Sequence, residues 1–277
     1  ETGGAITLDD TNAGAYGGPG GWYYLSDPTT LYATSGSINV QQGWNGETDP
    51  GFNSYTLQTF LHEIGHVLGM GHSGHYNGSA NYANDALYVN DTWQYTVMSY
   101  FGQYNYDDGS YRYLSTPMLA DYYYMEMVYG ADTTTRTGDT VYGFNSNAGT
   151  YEGFALYDFA TYGTAPALTI FDSAGTDTLD ASGYGQNQMI NLEAGTYSDI
   201  GGLNNNIGIA GVNWDVEIFS SGETEDLSDV IEQFEMATAV REAFNASPAY
   251  YLSAAWLAGA LATLPAPRFW WLAVFAV

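Results

Sequence analysis

Three of the chain's four histidines fall within eleven residues, in His62-Glu63-Ile64-Gly65-His66-Val67-Leu68-Gly69-Met70-Gly71-His72. On a helix, positions 62 and 66 lie one turn apart on the same face, so both imidazoles can reach a single ion. Glu63 projects beside that ion, where its carboxylate can take a proton from a bound water. Gly69 lets the chain reverse, and His72 then arrives as a third nitrogen. Three protein nitrogens leave the fourth tetrahedral position to water, the arrangement of a catalytic rather than a structural zinc. His75 stands as an alternative third ligand, or else as an exposed loop residue. The chemistry this pattern supports is hydrolysis by a metal-activated water.

The elements that must position these groups can be read from spacing. Over residues 55–68, Leu57, Phe60, Leu61, Ile64, Val67 and Leu68 recur with helical period, and Gly69 stops the helix. A second helix is expected from a Thr116 cap and Pro117 in its first turn to Gly130 beyond its end. Met118, Leu119, Tyr122, Met125, Glu126 and Tyr129 are its expected inner stripe. Ahead of the first helix, Ala5-Ile6-Thr7-Leu8, Trp22-Tyr23-Tyr24-Leu25 and Ser37-Ile38-Asn39-Val40 read as short strands bounded by turn residues. Residues 73–115 form a long polar and aromatic stretch between the two helices.

Beyond Asp132 the texture changes to Gly-, Asn- and Thr-rich strands, which continue to about Gly222. We therefore divide the chain into 1–130, 131–222 and 223–277. In the last segment Leu227, Val230, Ile231, Phe234, Ala237 and Val240 repeat with helical spacing, and residues 243–267 carry no charge. Pro265, Pro267 and Arg268 interrupt that apolar run short of the length a membrane-spanning helix needs, so membrane contact by the tail is not favoured.

Composition narrows the partners. The chain has 277 residues, 31 acidic against four basic (Arg112, Arg136, Arg241 and Arg268), and a net charge of −27. Such a surface argues against nucleic acid or an anionic membrane as partner. It suits an extracellular or high-salt setting and bound divalent cations, though most of the charges need do no more than keep the protein soluble. With no cysteine, a thiol nucleophile, a zinc finger and a disulfide scaffold are all excluded. The first residues show neither the basic start nor the apolar run of a secretory leader.

The stretch 62–72 resembles the signature of the metzincin zinc proteases, and Thr96-Val97-Met98-Ser99-Tyr100 resembles their methionine-bearing turn. That resemblance implies that Met98 floors the three imidazoles and that Tyr100 sits near the metal to bond an oxyanion. Within the clan the serralysins fit best, on His72-Ser73-Gly74-His75-Tyr76-Asn77, on Met-Ser-Tyr, and on Thr135-Arg136-Thr137-Gly138-Asp139-Thr140-Val141-Tyr142-Gly143-Phe144-Asn145-Ser146-Asn147. Ser73 departs from the proline usual in that family. The likeness runs over residues 35–217 and leaves the tail from Glu223 unmatched.

The implied fold is α+β: a metzincin-like zinc protease domain, a β-rich domain (β-roll or sandwich-like), then a helical C-terminal tail. More catalytic domain precedes the position of residue 1 in that family, so the first domain is expected to be N-terminally shortened. The implied activity is a secreted, extracellular zinc endopeptidase acting on extended protein or peptide substrates. An inactive module that keeps the zinc site and binds calcium or a partner is the alternative. The resemblance also implies calcium, bound by backbone oxygens around Arg136, Gly138 and Thr140 and by a second loop with Asp172, Gly175 and Asp177. A further site would use Asp215 or Glu217. Gly175-Thr176-Asp177-Thr178-Leu179 is half of one calcium-binding repeat, and a solitary repeat is not expected to build a stacked roll.

Overall fold

The computed structural model describes residues 5–26, 30–48, 51–150, 154–211 and 216–219. The expected helical tail and Asp215 lie outside the described residues. Three strands open the fold: β1 (Ala5–Asp9), β2 (Ala15–Tyr24) and β3 (Leu31–Val40). Central β3 runs parallel to β1 and antiparallel to β2.

The expected strand at Trp22 is thus only the end of a ten-residue strand that starts at Ala15. Its Gly17-Gly18-Pro19-Gly20-Gly21 run reads as a turn in the sequence, yet it pairs with β3 through Pro19, with register shifts around Gly21. An edge strand tolerates proline because no neighbour needs its missing N–H. Packing requires the glycines here. A Cβ on Gly17 would lie 2.5 Å from the Glu63 carbonyl oxygen, and one on Gly36 would lie 2.4 Å from Val67 Cγ1.

Helix α1 (Tyr55–Val67) lies against this sheet through Val67, Phe60 and Ile64, which meet Ile38 and Val40. Ser54 caps it by accepting from Leu57 N at 3.1 Å. The Glu47 carboxylate accepts from Tyr55 N and Thr56 N at 3.0 and 2.8 Å, placing an anion at the positive end of the helix dipole. At the far end Gly69 takes φ 97°, as expected.

The burial differs from the apolar stripe read in the sequence. The buried positions of α1 are Thr56, Gln58, Thr59, Glu63, Gly65 and Val67, while Leu57, Phe60, Leu61 and Ile64 are half-buried. The reason is that the polar face of α1 is covered too. Gln58 Oε1 accepts from Leu114 N at 2.8 Å, Thr59 accepts from Trp44 Nε1 at 3.0 Å, and Gly65 faces Met98.

Residues 73–115 are largely irregular, with one short helix, α2 (Tyr82–Asp85). Helix α3 (Leu119–Tyr129) follows, and here the expected cap is corrected. Met118 is the N-cap, and Asp121 reaches back to its backbone N–H at 2.8 Å. Thr116 is drawn elsewhere: its hydroxyl donates to Pro117 O and accepts from Thr169 N at 2.7 Å. Gly130 ends the helix at φ 88°.

The remaining strands form two three-stranded sheets. Strands β4 (Val141–Gly143), β6 (Asp177–Asp180) and β9 (Val216–Phe219) are mutually parallel. In the second sheet β8 (Leu203–Gly211) is central, parallel to β5 (Leu168–Asp172) and antiparallel to β7 (Tyr197–Ile200). Tyr142, Leu168, Ile170, Leu179, Ile200, Ile207 and Ile209 fill the core of this part.

Because β5 leads to β6 and β8 to β9, each pair stepping from one sheet to the other, the chain makes two stacked windings. The second winding, β8 and β9, lies outside the half-repeat, and β8 supplies Ile207 and Ile209 to the core.

The fold is therefore mixed α+β, and the described residues pack as one unit. Trp93, Val97, Met98, Leu114, Met118, Ala167 and Tyr197 form a single buried cluster, so packing runs across residue 131. No helix among the described residues is long and apolar enough to cross a membrane.

Substitution at the sheet–helix contact tests this packing. Replacing a strand glycine by alanine ordinarily stabilises by about 0.5–1 kcal/mol. Gly17→Ala should instead destabilise by about 1–3 kcal/mol, because its Cβ meets backbone. Gly18→Ala, with open space around its Cβ, should be neutral or mildly stabilising. Urea denaturation midpoints of the two variants check the difference.

Candidate metal centre

Helix α1 presents His62 and His66 one turn apart, and the reversal at Gly69 delivers His72 opposite them. The Nε2 atoms of His62 and His66 lie 3.2 and 3.1 Å from Nε2 of His72. Each Nδ1 meets a backbone carbonyl: His62 at Val97 O (2.8 Å), His66 at Met70 O (2.9 Å) and His72 at Tyr76 O (2.8 Å).

A carbonyl oxygen can only accept, so each Nδ1 carries the proton and each Nε2 offers a lone pair. Three lone pairs facing one another at such distances repel unless a cation lies between them. Burial favours the neutral form of two of them: His62 is pushed down to about 4 and His72 is also lowered, chiefly by desolvation. The donor set, three neutral imidazoles with oriented outer nitrogens, fits zinc. His75 is exposed and stands outside this group.

Glu63 is 6 % exposed, with Oε2 lacking any hydrogen-bond partner. Burial lifts its carboxyl to about 7, against a hydrogen bond from the Gly17 backbone. Tyr100 places its ring centroid 4.6 Å from that of His72 and 5.8 Å from that of His62. Its hydroxyl accepts from Gly78 N at 3.4 Å, which leaves its own proton free to be donated. Met98 is buried beneath α1, its sulfur where a Cβ on Gly65 would go.

Three supporting residues escaped the sequence reading. Val97 and Tyr76 act through backbone carbonyls, which leave no residue-type signal. Asp121 has one, a carboxylate at the third position of a helix. It is buried, and it accepts from Thr96 Oγ1 (2.6 Å), Val97 N (2.8 Å) and Met118 N (2.8 Å). Burial nevertheless pushes its carboxyl up to about 6. Asp121 thus holds Val97, the residue whose carbonyl orients His62.

The residues of the two glycine-bearing loops also come together. Thr140 N donates to Asp177 Oδ1 at 2.9 Å, and Thr176 N donates to Asp139 Oδ1 at 3.0 Å. Gly175 adopts φ 127°, and a Cβ there would lie 2.6 Å from the Gly138 carbonyl oxygen. Asp177 Oδ2 is buried without a partner, and desolvation raises that carboxyl to about 6, with Asp172 and Asp139 adding to the rise. An unpaired buried carboxylate oxygen is a donor of the kind a hard cation such as calcium takes.

Asp172 sits differently. It accepts from the Tyr142 hydroxyl and lies 4.0 Å from Arg136 Nε, while the guanidinium covers the Tyr157 ring at 4.7 Å. Arg136 takes φ 48° and turns its side chain inward, donating to the Tyr142 hydroxyl at 2.7 Å and to Phe171 O. Glu217 lies in β9 opposite Thr178.

Residues 131–246 match a family model described as peptidase M10 serralysin C terminal. The chain is 44% identical over 197 residues to Serralysin C of Dickeya chrysanthemi, covering 69% of this chain and 40% of that protein. It is 44% identical over 170 residues to the serralysin of Proteus mirabilis (60% and 33%). To Metalloprotease AprA of Pseudomonas entomophila it is 41% identical over 179 residues (62% and 36%). An alignment of 197 residues is longer than the whole stretch from 131 to 277, so the likeness reaches ahead of residue 131. The chain spans between 33% and 40% of the length of these curated relatives.

The Asp121 network yields a stability test. Asp121→Ala leaves three donors without their acceptor, and each buried unsatisfied group costs about 1–3 kcal/mol. A loss of about 3 kcal/mol or more is expected in urea unfolding, with Asp121→Asn losing clearly less because one acceptor oxygen remains. Equal losses in the two variants would show that the hydrogen bonds are not what Asp121 contributes.

Proposed function

We propose, from the premise that this chain is a relative of the serralysin metalloproteases, that it is the active-site-bearing part of a zinc-dependent endopeptidase. The observation that carries this reading is the convergence of three imidazole lone pairs beside a buried, half-unpartnered carboxylate. His62, His66 and His72 would hold the metal. Bound there, zinc supplies Lewis-acid polarisation of a carbonyl and a lowered water pKa. Glu63 accepts the proton of the attacking water and delivers it to the leaving amine, a role that suits a carboxyl lifted towards neutrality. Tyr100 donates its hydroxyl proton to the oxyanion, and Met98 floors the imidazoles.

Substrates are extended protein or peptide segments. Strand β2 supports this, since it is an edge strand that can add a further strand through its backbone, and its Gly17 touches Glu63. On this reading residues 1–130 form a metzincin-like catalytic domain and 131–222 a serralysin-like β-rich domain. Calcium would be held in the latter by backbone oxygens at Arg136, Gly138 and Thr140 and by the Asp172 and Asp177 carboxylates, with Gly175 allowing close approach. Glu217 is assigned to a second site. An extracellular setting suits the cysteine-free, strongly acidic composition.

Two experiments test the proposal. Wild-type protein should carry about one zinc per chain, in the stoichiometry of a single tetrahedral site, and His66→Ala should lose it. Glu63→Ala should keep the metal while casein turnover falls roughly 10²-fold to 10⁴-fold. A wild-type protein that binds zinc and cleaves nothing would favour the inactive module.

The second test is a thermal melt at matched ionic strength with calcium or magnesium. Calcium should raise the wild-type Tm and should not raise that of Asp177→Ala. Equal shifts in the two proteins would remove this loop from the calcium site.

A further inference from the structure

We propose that Asp91 and Tyr76 form a positioning pair that fixes His72, and with it Tyr100, over the metal centre; the inference rests on the metal reading above. His62 and His66 are held by the helix that carries them, whereas His72 stands on a loop and must be oriented by tertiary contacts. Tyr76 supplies two of these. Its carbonyl accepts the Nδ1 proton of His72 at 2.8 Å, and its ring stacks on the imidazole with centroids 5.6 Å apart and planes 21° from parallel.

What holds Tyr76 is Asp91. The Tyr76 hydroxyl donates to the Asp91 carboxylate, lying 3.0 Å from Oδ1 and 3.2 Å from Oδ2, and Asp91 is 2 % exposed. A bond to a buried carboxylate is stronger and more directional than one between neutral groups. Asp91 itself sits at the foot of a braced loop. Trp93 closes that loop by donating its backbone N–H to Phe101 O and its Nε1 to Ser99 O, both at 2.8 Å. The same loop carries Met98 and Tyr100.

The Asp91–Tyr76 bond therefore ties the loop bearing His72 to the loop bearing Tyr100. Tyr76 also touches the Tyr100 ring (4.8 Å) and the Phe101 ring (5.1 Å). Outer groups that orient a metal-ligating histidine typically change metal affinity by about 10-fold to 100-fold when removed. A buried hydrogen bond that only stabilised the fold would lower Tm and leave metal affinity and ligand geometry unchanged.

The test uses the metal-stripped full chain titrated with Co²⁺, reading affinity by chelator competition and ligand geometry by visible d–d absorption. Asp91→Ala and Tyr76→Phe should each weaken Co²⁺ binding by about 10-fold or more and alter the spectrum. The double variant should be no worse than either single one, because the two groups act as a unit. Asp91→Asn, which keeps an acceptor oxygen, should recover most of the affinity. Tyr76→Phe retains the ring and decides the matter if Asp91→Ala does not fold. Wild-type affinity and spectrum in Tyr76→Phe would overturn the proposal, as would losses that simply add in the double variant. A wild-type protein that binds no Co²⁺ would overturn the metal reading itself, and the role of the pair with it.

Discussion

Three imidazole nitrogens must face one point, and each can do so only if its ring's other nitrogen keeps its proton and donates it in a hydrogen bond to a fixed acceptor. Much of the architecture ahead of residue 131 follows from that constraint. The acceptors are the carbonyls of Met70 and Tyr76, on the irregular segment after α1, and of Val97, on the one between α2 and α3. Each residue is anchored in turn: Val97 by Asp121 at the start of α3, Met70 by its N–H to Gly65 O, and Tyr76 by Asp91. The helices and sheet therefore serve chiefly as fixed points from which loops can be hung. The geometry of the centre is set by backbone oxygens that no sequence motif names.

A second constraint is charge. The chain carries 31 acidic residues and four basic ones, so its buried carboxylates cannot all be paired with cations. Among the described residues the ion pair is Arg136 with Asp172. The other buried acids are met by neutral donors instead: Asp121 by a hydroxyl and two amides, Asp91 by a phenol, and Asp180 by Asn145 and Ser182. Glu63 and Asp177 each keep one oxygen unmatched. Both unmatched oxygens lie where the proposed chemistry wants a free carboxylate, Glu63 beside the imidazoles and Asp177 at the proposed calcium site. A protein this acidic keeps buried carboxylates by supplying hydrogen bonds, and leaves them bare only in particular places.

Where the fold was legible in the sequence, a local rule applied without competition. Gly69 and Gly130 ended their helices because only a residue free to take positive φ fits there, and His62, His66 and His72 converged because their spacing matches one helical turn plus a reversal. The loops around Gly138 and Gly175 meet through the backbone N–H groups of Thr140 and Thr176. The reading failed where tertiary contacts overrode local preference. Thr116 looked like a cap, but Thr169 N claims its hydroxyl, and Asp121 does the capping. The glycine run in β2 looked like a turn because nothing local reveals that Glu63 lies against it. Tyr76 was one of 26 tyrosines, and its partner Asp91 is fifteen residues away, so no periodicity could single out the pair.

The cluster that joins Met98 to Ala167 and Tyr197 bears on how the molecule is made. A ribosome delivers His62, His66 and His72 more than a hundred residues before Tyr197. During that interval the helix and its histidines can form, but the hydrophobic floor beneath them lacks its last members, and Gln94 lacks the hydroxyl that Tyr197 donates to its carbonyl. Full packing around Met98 therefore waits on Tyr197, which is made more than a hundred residues after the three histidines.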